Sequence, residues 1–93
     1  MDEERNNLRQ RIEILRAYVK AIENPEELLR VCARVEGGIE DVRSAVARAF
    51  DVSDVAADAV LSMQVRRFTP HAIQQLRDQL ADDERRLLEL GQA

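Results

Sequence analysis

At 93 residues with 45% hydrophobic and 34% charged side chains, the chain is expected to fold, but it is too short for two separate cores, so residues 1–93 read as one domain. Three glycines, two prolines and 3% aromatic residues leave few turn or strand formers, which makes the fold class all-α. One cysteine (Cys32) excludes an intrachain disulfide, one histidine (His71) leaves no soft-ligand set for zinc or an iron–sulfur cluster, and a net charge of −4 argues against direct nucleic-acid binding.

The first helix is expected from about Glu3 to Glu23. Leu8, Ile12, Leu15, Val19 and Ile22 recur at alternating steps of four and three, the seam of a coiled coil. Ile14, Tyr18 and Ala21 add a second apolar face further along, so the second half should meet several partners and the first half only one. Asn24 and Pro25 then read as a cap and a first-position proline, with Glu26 and Glu27 at the positive end of the helix dipole. The helix they open carries Leu28, Leu29, Val31, Cys32 and Val35, and should stop at Gly37-Gly38 in a left-handed cap.

A third helix, about Ile39 to Phe50, places Ile39, Val42, Val46, Ala49 and Phe50 on one side. Ser53 is positioned to cap a fourth, with Ala56, Ala57, Val60, Leu61 and Met63 facing inward. Thr69-Pro70 starts a long last helix reaching about Leu90, whose seam is Ile73, Leu76, Leu80, Asp83, Leu87 and Leu90. Matching seams on the first and last helices imply an antiparallel two-helix coiled-coil arm, capped by a small globule of about three short helices. That register sets Leu76 near Val19, Leu80 near Leu15 and Leu87 near Leu8. It also sets Asp83 beside Ile12 and in reach of Arg11 or Arg16. An acidic seam residue either fixes register or lies exposed where the arm frays, and exposure is the expectation.

These residues also resemble a known family. The stretches EILRAYVKAIEN (residues 13–24) and ARAFDVSDVAADAVLSMQVRRFT (residues 47–69), with the helix after them, are similar to the tip of the coiled-coil arm in the A subunits of bacterial DNA gyrase and topoisomerase IV. In that family the region forms the exit gate. The likeness is nearly gapless over roughly residues 9 to 90. It departs from the family at Asp51, where a glycine is usual, at Ser62 for an acidic residue, at Gln64 for an arginine, and at Pro70-His71 for a glycine-led continuation.

The resemblance implies a non-catalytic role. The family's cleavage tyrosine, its neighbouring arginine and its magnesium-binding carboxylates lie outside the part resembled, and Tyr18 does not correspond to that tyrosine. The expectation is therefore no enzyme, no catalytic residue and no cofactor or metal site. His71 reads as a surface residue and Cys32 as a small buried hydrophobe. The carboxylates Glu23/Glu27, Asp54/Asp58 and Asp82/Asp83/Glu84 read as solvated faces.

The implied site is a dimer interface at Val60, Leu61, Met63, Gln64, Val65, Arg66, Arg67, Phe68 and Thr69, with the arginines reaching acidic groups across a two-fold axis. The alternative, in which these residues only close the monomer's own core, stays open. A thin core without disulfide or metal points the same way, since a chain this short buries only about 60–65% of its unfolded surface. A homodimer is the expected assembly. A regulator that pairs with the A subunit of gyrase or topoisomerase IV is the second reading, and an accessory DNA- or protein-binding adaptor a third. A charged opening and no apolar run near 20 residues lead to a cytoplasmic protein without membrane contact, and 13 arginines against one lysine point to a bacterial, GC-rich source.

Overall fold

The computed structural model describes residues 2–92, and among them there are five α-helices and no strand. They are α1 (Asp2–Glu23), α2 (Pro25–Arg34), α3 (Ile39–Phe50), α4 (Asp54–Leu61) and α5 (Pro70–Gln92), with a short 3-10 turn over Val65–Phe68 before α5. At 48 × 28 × 17 Å the molecule is elongated, and its 14.4 Å radius of gyration exceeds the roughly 12 Å of a compact domain of this length.

The elongation comes from α1 and α5, which lie side by side and antiparallel. Arg5 near the start of α1 donates to the carbonyl of Leu90 near the end of α5, Arg11 meets Asp83, and Glu23 meets Arg77. Leu15, Ile22 and Leu76 are buried between the two helices, with Val19, Ile73 and Leu80 half-buried around them. Leu8 and Ile12 are buried as well, while Leu87 and Leu90 are half-buried. Leu80 and Leu15, and Leu76 and Val19, all belong to this cluster.

A second cluster gathers the short helices on the later half of α1. Ala17 and Ala21 of α1, Leu28 of α2, Val46 of α3, and Ala56, Ala57 and Val60 of α4 are all buried in it. The four alanines among them let helix backbones approach closely, so little side-chain volume closes the core. Phe50, Val52, Met63 and Phe68 pack on its margin.

The caps explain where the helices begin. Ser53 Oγ accepts from the Ala56 amide at 3.1 Å, and Thr69 Oγ1 from the Ala72 amide at 3.2 Å. Asn24 behaves differently: its side-chain amide donates to the Lys20 carbonyl at 2.9 Å, closing the end of α1, and makes no cap on α2. The expected glycine stop is also corrected. α2 ends at Arg34, Val35 is extended, and neither Gly37 nor Gly38 has a positive φ. Gly38 instead precedes α3, whose first residue, Ile39, is 64% exposed; Ala49, nearer its end, is exposed too. Packing on α3 centres on Val46.

Asp83 is the clearest departure from expectation. It is 5% exposed, not frayed into solvent. Its carboxylate accepts from Arg11 Nε at 2.7 Å and from a second guanidinium nitrogen, a bidentate pair between α5 and α1. These bonds hold the carboxyl below its usual range, against a desolvation that pushes the other way.

Candidate functional site

The segment from Val60 to Thr69 splits into a floor and a rim. Val60 is 4% exposed and belongs to the tip core, so its side chain supports the surface from beneath and has no free area to offer a partner. Leu61 is half-buried against the same core. Met63 and Phe68 touch both apolar clusters, joining the α1/α5 seam to the short helices. The reading in which this stretch closes the monomer's own core therefore holds for Val60, Leu61, Met63 and Phe68.

Gln64, Val65, Arg66, Arg67 and Thr69 form the rim, all exposed, with Val65 at 84%. The geometry follows from a short turn. The Arg67 amide donates to the Gln64 carbonyl at 3.0 Å, which winds four residues so that Met63 and Phe68 point inward and the intervening side chains point out. Thr69 then ends the turn by capping α5.

Arg66 and Arg67 make no ion pair among the described residues, although six other arginines do. Beside them lies a groove bordered by His71, Gln75 and Gln79, with no acidic side chain along it. In a chain of net charge −4, this is a locally positive surface. Along α4, Asp54, Val55, Asp58 and, just past its end, Ser62 share the solvent face, since Ala56, Ala57 and Val60 take the inner one. Val55 is 68% exposed there. The exposure of Val55 is legible in the helical phase of the small buried residues, and reading Asp54/Asp58 only as a solvated face leaves it unnoticed.

Other chemically distinctive residues stay apart from this surface. Tyr18 is half-buried and packs on both clusters, Cys32 is half-buried beside the tip core, and His71 is exposed. No group of three or more His, Cys, Asp or Glu among the described residues is disposed to hold a metal ion. No described helix is long and apolar enough to cross a membrane.

Two long antiparallel helices thus carry three short helices at one end, and an exposed apolar and basic turn joins the two regions. No family model matches the chain. It is 33% identical over 82 residues to the A subunit of DNA gyrase from Mycobacterium leprae, covering 88% of this chain and 6% of that protein. It is 31% identical over 70 residues to the corresponding gyrase protein of Leptospira biflexa, covering 75% of this chain and 8% of that one. The A subunit of DNA gyrase from Mycolicibacterium smegmatis is 31% identical over 81 residues, 87% of this chain and 10% of the relative. Over most of its length the chain is thus related to a segment of the gyrase A subunit, while spanning a tenth or less of those relatives.

Proposed function

We propose that the chain is a non-catalytic dimerisation module, with α1 and α5 forming a two-helix coiled-coil arm and α2 to α4 a head like that of the gyrase exit gate. The observation that carries this reading is the turn after α4. It lies within the stretch similar to the gyrase protein and holds Val65 largely in solvent, next to two arginines that form no ion pair among the described residues. An exposed valine followed by two guanidinium groups that form no ion pair among the described residues suits the centre of a two-fold contact.

The module acts in the cytoplasm without a cofactor, and neither cleaves DNA nor binds it directly. Sedimentation equilibrium at micromolar concentration is expected to show a symmetric dimer. A monomer throughout that range would overturn the reading.

One observation favours a second role. Because the similarity to gyrase runs through the same turn, a cell holding the full-length A subunit of gyrase or topoisomerase IV presents a related surface, and the module can pair with it and modulate the larger enzyme. Co-purification of that larger protein with the module, and inhibition of supercoiling by added module, are the expected results; absence of both would remove this role.

A further inference from the structure

The exposed surface from α4 through the following turn divides by charge. Asp54 and Asp58 flank Val55 on the outer face of α4, and Arg66 and Arg67 follow Val65 in the turn. Each half therefore carries one exposed valine and two like charges. All four charged side chains are exposed, and none of them forms an ion pair among the described residues. Within one chain the two halves leave each other's charges unpaired.

A two-fold axis changes that. In an isologous contact the same patch meets itself in reverse order, so what is first on one copy faces what is last on the other. We infer that this surface is self-complementary: Asp54 and Asp58 of one copy pair with Arg66 and Arg67 of a second copy, and the exposed valines are covered between them. The inference rests on the dimer reading above and supplies its specificity. The occupant is a second copy of this chain because the patch holds equal numbers of both signs, two carboxylates and two guanidinium groups. An acidic partner would leave the carboxylates repelled, and a basic one the arginines.

The test uses charge reversal in both directions. Asp54→Arg with Asp58→Arg makes the patch wholly basic, and Arg66→Glu with Arg67→Glu makes it wholly acidic. Each variant alone is expected to weaken self-association at least about tenfold by sedimentation equilibrium, with the far-ultraviolet circular dichroism of the folded chain retained. An equimolar mixture is expected to form a heterodimer with close to wild-type affinity, since the reversed halves then face opposite charges. Should a double variant lose helical signal, Asp58→Arg, beyond the first turn of α4, and Arg67→Glu carry the same test singly. A wild-type dimer whose variants self-associate unchanged, or whose mixture shows no preference for the heterodimer, overturns this pairing and leaves the dimer standing. A wild-type chain that is only monomeric overturns both.

Discussion

Between α1 and α5 four ion pairs cross from helix to helix, Glu4–Arg86, Arg11–Asp83, Arg16–Glu84 and Glu23–Arg77. Among α2, α3 and α4, and between them and the long helices, none crosses among the described residues; the one pair there, Glu27–Arg30, lies within α2. The difference follows from what sits at the contacts. Leucine and isoleucine lie between α1 and α5 and leave the flanks to long charged side chains, whereas Ala17 and Ala21 of α1 meet Ala56 and Ala57 of α4 in a core where small side chains let those two helices approach closely. Apolar contacts with charged pairs on their flanks thus join the long helices, and apolar contacts without ion pairs among the described residues join the short ones.

The largest effect is expected where the two regions meet. Leu15 and Leu76 are each 4% exposed, in the cluster to which Met63 and Phe68 also contribute. Leu15→Ala removes buried methyl groups and leaves a cavity that rigid helices cannot collapse, a loss of about 3 kcal/mol. The same truncation at half-buried Leu90, far along the pair, should lose under about 1 kcal/mol. Urea unfolding of both variants at one protein concentration checks the contrast. Equal losses would mean that the long pair is uniformly packed from end to end.

Next in size is the Arg11–Asp83 pair. Arg11→Ala leaves a buried carboxylate without its donors, a loss of about 1–3 kcal/mol at neutral pH. Since Arg11 holds the Asp83 carboxyl below its usual range, the pair's contribution is present above the unfolded aspartate pKa near 4 and is lost as pH falls through the lower folded value. The gap between wild type and Arg11→Ala should therefore narrow steadily as pH falls, first as protonation relieves the stranded Asp83 carboxylate of the variant, which burial pushes up, and then as the pair is lost in the wild type. Asp83→Leu, which removes both the charge and its need for a donor, should retain or raise stability. A loss there as large as in Arg11→Ala would show that the pair itself stabilises the fold, beyond satisfying the carboxylate.

What the sequence makes legible follows the same division. Helix starts are readable at Ser53 and Thr69 because a hydroxyl cap is a local device, complete within four residues. Apolar residues at alternating steps of three and four include several that α1 and α5 bury, among them Leu8, Ile12, Leu15, Ile22 and Leu76. The burial of Asp83 is not readable, because its donor comes from a residue 72 positions away, and heptad spacing alone cannot show whether an acid at the seam is paired or frayed. The end of α2 is missed for a related reason: the glycine pair marks where a helix must stop, whereas α2 ends at Arg34 with Val35 already extended, before either glycine is reached. Val60 is assigned to the partner-facing surface from its place in the motif, and the phase of Ala56 and Ala57 places it in the core. The turn after α4 gives a mixed apolar and basic pattern that fixes no side of the chain, and only its 3-10 winding separates Met63 and Phe68 from Val65.

The smallest expected effect lies at the join between α3 and α4. Asp51 ends α3 with φ 54° and ψ 54°, the one described non-glycine residue with positive φ. Its amide and that of Val52 satisfy the last carbonyls, Val52 donating to Ala47 at 3.0 Å, and the half-buried Val52 side chain packs on the tip core. The conformation is thus required by the cap. Aspartate tolerates it better than most residues, yet places a negative charge at the negative end of the helix dipole. Asp51→Gly removes the steric strain and the charge, partly offset by the greater freedom of glycine in the unfolded chain. The net gain should be about 0.5 kcal/mol, a rise in melting temperature of roughly 2–4 °C. Asp51→Asn, which removes the charge alone, should gain less, and Asp51→Ala, which keeps a Cβ and has no polar side chain to bond the turn, should lose stability. Calorimetry of the three variants separates strain from charge, and a gain in Asp51→Asn equal to that in Asp51→Gly would assign the whole effect to the dipole.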